Sequence, residues 1–130
     1  MTDTQQDLKY TSSHEWVRME ADGSVTVGIT DHAQSLLGDL VFVETPEAGT
    51  EVFAGKACAT VESVKAASDV HAPVSGEVIS ANEDISEAPE KINDSPFDQG
   101  WLFRIMPSDA SELESLMDAD GYVAMVASED

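Results

Sequence analysis

Lys65 stands in the stretch VESVKAASDV, residues 61–70, and is one of only four lysines in a 130-residue chain whose formal net charge is −20. Its neighbours Ser63, Ala66, Ala67 and Ser68 are small. A lysine without bulky neighbours leaves room for another protein to reach the ammonium. An enzyme that acylates such an ε-amine must first desolvate and deprotonate it, and the acylation removes the positive charge. The turn would then be wholly acidic. On local composition alone, the same lysine reads as a solvated residue at a loop tip.

The remaining residues offer little reactive chemistry. No nucleophile stands with a base, no glycine-rich phosphate loop occurs and no metal constellation is spaced along the chain, so no catalytic residue is assigned and an enzyme is not expected. Cys58 is the single cysteine; without a disulfide or CxxC partner it reads as a small buried residue. His14 and His71 have no carboxylate or cysteine at metal spacing and read as surface or packing residues. Trp16, Phe42, Trp101 and Phe103 read as core.

The elements that must position Lys65 follow from the pattern around it. The segment EVFAGKACATV arrives with Gly55 ten residues before the lysine, and DVHAPVSGEVI leaves with Gly76 eleven residues after it. Two strands of similar length are expected to meet at Lys65. Upstream, EWVRM and VTVGI flank Ala21-Asp22-Gly23-Ser24, a hairpin signal because Asp-Gly tolerates the positive φ of a tight turn. Val25, Val27 and Ile29 should share a face.

TDHAQSLLG reads as a short helix capped by Thr30 or Asp31, with Gln34 in a capping box, Leu36 and Leu37 inward and Gly38 as the stop. LVFVE reads as a buried strand. Residues 81–100 read as irregular, followed by a strand WLFRI. A capping box from Asp109 to Glu112 starts a C-terminal helix over about 109–117, interrupted at Asp118 and Gly121. Residues 1–9 read as a flexible N-terminal arm before a single domain over 10–130. Short strands dominate, which gives a mostly β fold, a sandwich or small barrel with flanking helices.

Composition narrows the partners. Six Lys and Arg face 26 Asp and Glu, so nucleic acid and anionic membrane surfaces are excluded as partners, since both require clustered cations. The acidity fits a surface adapted to salt, or a carrier that docks on basic patches of larger proteins. No stretch has the apolar length of a membrane span, and a reducing, cytoplasmic setting is the expectation.

Taken together, YTSSHEWV, VGITDHAQSLLGD, VFVETPEAG, VESVKAASDVHAPVSGEV, NDSPFDQGWL and SELESLMDADGY resemble the glycine cleavage system H-protein family, in the family's order and over residues 10–122. The resemblance implies a hybrid barrel-sandwich of two antiparallel sheets, with lipoate attached by an amide to Lys65 on a hairpin turn. It further implies a carrier that takes the aminomethyl group of glycine from a pyridoxal-phosphate glycine decarboxylase (P protein) to a tetrahydrofolate-dependent aminomethyltransferase (T protein). Dihydrolipoyl dehydrogenase (L protein) would then reoxidise it, and a lipoate-attaching enzyme would load it. The expected state is a monomer. The positions matching the family's cleft for the loaded arm are Ser13, Glu15 and Asp69, with His32 near the arm; carboxylates there would pair with a protonated amine.

Two departures stand out: His71 occupies a place where the family commonly has an aromatic, and lysine content is lower than usual. A biotinyl carrier usually flanks its lysine with methionines, whereas Val64 and Ala66 stand here. Lipoyl domains of 2-oxoacid dehydrogenases usually carry an acidic residue just before the lysine. A relay that hands lipoyl or octanoyl groups to other carriers would use the same lysine.

Overall fold

A computed structural model describes residues 8–129. Among these described residues nine strands form two antiparallel sheets, with four short helices at the periphery. The larger sheet has the order β1-β2-β3-β9-β8-β5 and the smaller β4-β6-β7; these are β1 (Lys9–Tyr10), β2 (Glu15–Met19), β3 (Val25–Ile29), β4 (Leu40–Glu44), β5 (Glu51–Val52), β6 (Ala57–Ser63), β7 (Ala67–His71), β8 (Gly76–Ala81) and β9 (Phe103–Pro107). This is the mostly β fold expected from the strand pattern and the barrel-sandwich that the family resemblance implies.

The β2–β3 hairpin forms as read. Asp22 Oδ1 accepts from the Ser24 N–H at 3.0 Å and from its hydroxyl at 2.6 Å, and Gly23 supplies φ 91°. Val25, Val27 and Ile29 are buried and enter the core between the sheets with Val61, Val70 and Ile105. Gly28 lies under the Trp16 ring, where any Cβ would come within 2.5 Å of ring carbons, so the outer face of β3 is covered too.

The two strand pairs around Lys65 are nested. β6 pairs with β7 from Ala57↔His71 to Glu62↔Ala67 in the small sheet, and β5 pairs with β8 through Glu51↔Glu77 in the large one. Both registers centre on Val64 and Lys65, which accounts for the mirrored sequence.

Several expectations are corrected. Leu8 is buried and Lys9 pairs with Val17, so the flexible arm read over 1–9 does not extend to these two; residues 1–7 lie outside the described residues. The helix expected over about 109–117 is a 3-10 segment, Ala110–Ser115, and the C-terminal helix is α4 (Ala119–Glu129). Asp118 starts α4 instead of ending a helix, because its Oδ1 accepts from the Gly121 N–H at 2.8 Å, the use to which a short acidic side chain is put at an N-terminus. Tyr122 of α4 stacks on Tyr10 at 4.8 Å and joins Trp16 and Val126 in a second apolar cluster. The stretch read as irregular holds α2 (Glu83–Glu87) and α3 (Glu90–Asp94).

LVFVE is half exposed. A bulge between Leu40 and Phe42 breaks the alternation, and β4 is an edge strand, so Val41 and Phe42 face outward while Leu40 and Val43 are buried. Phe42 is therefore not core. In α1 (Asp31–Leu37), Leu37 packs on the core but Leu36, one helical step round, is exposed.

Candidate functional site

Lys65 is exposed at the tip of the β6–β7 hairpin. Each backbone N–H of residues 63–66 is engaged. Ser63 donates its N–H to the Ala66 carbonyl at 2.7 Å, and its hydroxyl accepts from the N–H groups of Lys65 (3.2 Å) and Ala66 (3.1 Å). The Val64 N–H donates to the Asp39 carbonyl at 3.1 Å, tying the tip to the loop between α1 and β4.

That loop is itself held. The Gly38 N–H donates to the Gln34 carbonyl, ending α1 at φ 84°, and a Cβ there would stand 3.2 Å from Lys65 Cε. Asn93 of α3 donates to the Gly38 carbonyl and to Gln34 Oε1, each at 2.9 Å, and its Oδ1 accepts from the Leu40 N–H. Gln34 in turn donates to Asp31 Oδ1 at 2.9 Å. The lysine is thus free at its end and fixed at its root. Ser63, Gly38 and Asn93 were not singled out as site residues from the sequence; the signal for Asn93 was the NDSP stretch, whose use lies 53 residues back at Leu40.

Of the expected cleft positions, Ser13 and Glu15 come together. Glu15 is 1% exposed, and its Oε1 accepts from the hydroxyls of Ser13 and Thr11, both at 2.5 Å. Its Oε2 accepts from the His71 N–H at 3.0 Å. β7 is the free edge of the small sheet, so this carboxylate stitches that edge to β2 of the large sheet. Glu15 is no ordinary solvent-face residue. His71 also bears on the site: its Nδ1 lies 3.6 Å from Glu15 Oε2 and is buried with no hydrogen-bond partner. Ser13, Glu15 and His71 line a cavity of about 440 Å3 with Tyr10, Leu116 and Met117.

Asp69 is exposed on the outer face of the small sheet, in a cross-strand row with Thr60 and Glu44, two residues along β7 from His71. His32 belongs to a different group. Its ring lies 4.9 Å from that of His14, which adopts φ 73° and bonds through Nδ1 to the Tyr122 hydroxyl at 2.7 Å. Tyr122 also bonds the Thr30 hydroxyl at 2.7 Å, so His14 ties the start of β2 to α4.

Cys58, half-buried behind Glu15, has its thiol pushed up to about 12 by burial and then by the Glu15 charge. Such a thiol stays protonated and inert near neutrality. Among the described residues no cluster of His, Cys, Asp or Glu is gathered to hold a metal ion, and no helix is long and apolar enough to cross a membrane.

A small barrel-sandwich that presents one free lysine on a braced hairpin tip defines a carrier-type domain, a scaffold that offers a side chain to other proteins. The glycine cleavage H-protein family model matches residues 8–129. A glycine cleavage system H protein of Halorhodospira halophila is 62% identical over 129 residues, covering 99% of each chain, and one of Shewanella frigidimarina is 62% identical over 123 residues, covering 95% of each. The crystal structure of a glycine cleavage system H protein from Mycobacterium marinum superposes with a TM-score of 0.89 at 38% identity, over 95% of this chain and 99% of that one. The chain belongs to the glycine cleavage H-protein family, the carrier component of the glycine cleavage system.

Proposed function

We propose that Lys65 is lipoylated and that the chain moves the aminomethyl group of glycine from the pyridoxal-phosphate decarboxylase to the tetrahydrofolate-dependent aminomethyltransferase, before reoxidation by dihydrolipoyl dehydrogenase. It performs no catalytic step of its own in this reading. The observation that carries it is the position of Lys65, alone at the centre of two nested strand pairs with every backbone N–H of the tip engaged. The residues fit the group: the amine is exposed, no carboxylate among the described residues pairs with it, and Gly38 leaves its side chain room. Lipoate would supply the sulfur that takes the cargo and the dithiol–disulfide couple that is reset.

The chain's own part is to anchor, orient and shield. The anchor is the braced tip. For shielding we assign Ser13, Glu15 and Asp69, with His32 nearby. A lysine bearing an acyl chain spans about a dozen bonds, on the order of 14 Å extended, and Asp69 lies roughly 7 Å along β7 from its first residue. Asp69 is the exposed carboxylate of the set and is assigned the contact with a cationic cargo. Glu15, already accepting three hydrogen bonds, is assigned the wall of the cleft. The bacterial relatives support a cytoplasmic setting for this exchange.

Intact-mass and peptide spectrometry of the chain made in lipoate-supplied cells tests the reading. One lipoyl group on Lys65 is expected; an unmodified Lys65, or modification at Lys56, would sink it. Lys65→Ala should abolish glycine turnover in a reconstituted system with the fold intact, because an exposed tip residue contributes little packing.

A further inference from the structure

Nine large apolar side chains are exposed among the described residues, and four of them lie on the three segments that meet at Lys65. Val64, 72% exposed, is its neighbour in the tip. Phe42 stands directly across from Glu62, next to the tip on the outer face of the small sheet, and the bulge at Leu40–Phe42 turns Val41 outward beside it. Leu36 lies in the last turn of α1, two residues before Gly38, over which the Lys65 side chain lies. The folded core uses none of the four.

The charges around them have one sign. Asp39, Glu44, Glu62 and Asp69 are exposed on the same segments, and over residues 31–44 and 57–71 Lys65 is the only Lys or Arg. Lys56 makes a contrast. It too is exposed near a tight turn, following Gly55 at φ 81°, but Phe53 is the one large exposed apolar side chain of its turn. An acylating enzyme must therefore tell two exposed turn lysines apart, and the amine itself offers no distinction.

We propose that Leu36, Val41, Phe42 and Val64 form the docking surface for the enzyme that acylates Lys65, and that this enzyme presents an apolar recess ringed by Arg and Lys at the mouth of its acyl-binding channel. The proposal rests on the reading that Lys65 is acylated. Apolar contacts fix the position of the tip, and the surrounding carboxylates steer the basic rim toward it. In the step served, deprotonated Nζ attacks the carbonyl of an acyl adenylate. The N–C amide bond forms, the bond from the acyl carbon to the phosphate oxygen breaks, AMP leaves and one proton passes from nitrogen to solvent or a base.

The test uses the unmodified full chain with a purified lipoate–protein ligase, ATP and lipoate, and follows acylation by mass. Val41→Ser with Phe42→Ser, and separately Leu36→Ser, should each lower kcat/KM about ten-fold or more, the scale of losing an interface anchor. The change should fall mainly in KM, with the urea midpoint unmoved. Glu62→Lys, which leaves the apolar residues in place, should lower kcat/KM and flatten its dependence on salt. Three results would overturn the proposal: serine variants acylated at the wild-type kcat/KM, variants that shift modification only in proportion to lost folding, or sedimentation showing the wild type as a dimer that the serine variants dissociate. Wild type left unacylated at Lys65 would overturn the reading beneath it as well, whereas equal acylation of wild type and variants removes the docking surface alone.

Discussion

Replacing Glu15 tests whether one carboxylate joins the two sheets. Three donors converge on it: the Thr11 and Ser13 hydroxyls on Oε1 and the His71 N–H on Oε2. A hydrogen bond to a charged acceptor contributes about 1.5–3 kcal/mol net. The two hydroxyls lie at the rim and regain water when the carboxylate goes, so they count at a fraction; the N–H of a sheet edge does not recover as well. For Glu15→Ala the sum is a loss of about 2–4 kcal/mol. Glu15→Gln keeps the shape. Its amide oxygen accepts from His71 while its NH2 group faces hydroxyls that turn to accept, so a loss of about 1 kcal/mol is expected. Urea unfolding followed by tryptophan fluorescence reads both, with a midpoint shift of about 1–2 M for the alanine variant at slopes ordinary for this size. The Cys58 thiol gives an independent check: removing the Glu15 charge should lower its pKa from about 12, but not to the ordinary thiol value, because burial is the larger cause. An alanine variant within about 0.5 kcal/mol of wild type, inside the scatter of surface substitutions, refutes the stitch.

Gly38→Ala places a side chain at φ 84°, ψ −159°, a region essentially reserved for glycine, and should cost about 1–3 kcal/mol in thermal or urea unfolding. The Lys65 end of the contact is flexible and moves aside, so the loss is in stability; an unchanged midpoint would mean the loop adopts another conformation. Cys58 should resist thiol reagents at pH 8 until the chain is unfolded. The sign for stability follows from a folded pKa raised from 9.0 to about 12: the contribution of the protonated thiol is complete below about pH 9 and is lost as pH rises toward 12. Wild type should therefore lose urea resistance over that window faster than Cys58→Ala, and parallel curves would remove the thiol as the cause.

The elements legible in the sequence were those with a local signal. Asp22-Gly23 marked the β2–β3 turn because one dipeptide supplies both the cap and the positive φ. The mirrored run from Gly55 to Gly76 marked the strands around Lys65 because antiparallel pairing about a tip makes composition symmetric. What stayed hidden depended on distant partners. Apolar periodicity placed Leu36 and Phe42 inside, yet a bulge and an edge position turned Phe42 out. Asp118 and Gly121 looked like helix breakers until the side chain of one was seen to cap the backbone of the other. His71 was dismissed for want of ligands at metal spacing, whereas its bearing on the site comes through its backbone N–H and through Glu15, 56 residues away in sequence.

The tip also explains why a serine precedes the lysine by two residues. A hydroxyl offers one donor and two acceptors, and Ser63 uses all three inside the turn, donating to the Ala66 carbonyl at 3.1 Å while accepting from Lys65 and Ala66. With the Val64 N–H taken by Asp39, the backbone has no donor left to offer a visiting protein. What the tip presents is then its side chains, an exposed amine, the apolar Val64 and two small residues, together with the Val64 and Lys65 carbonyls. A backbone already ordered spares the ordering cost at each encounter, which matters for a carrier whose tip, in the proposed function, meets one partner after another. Replacing Ser63 by alanine would leave every packed side chain untouched and still loosen the one point at which the cofactor is proposed to be fixed.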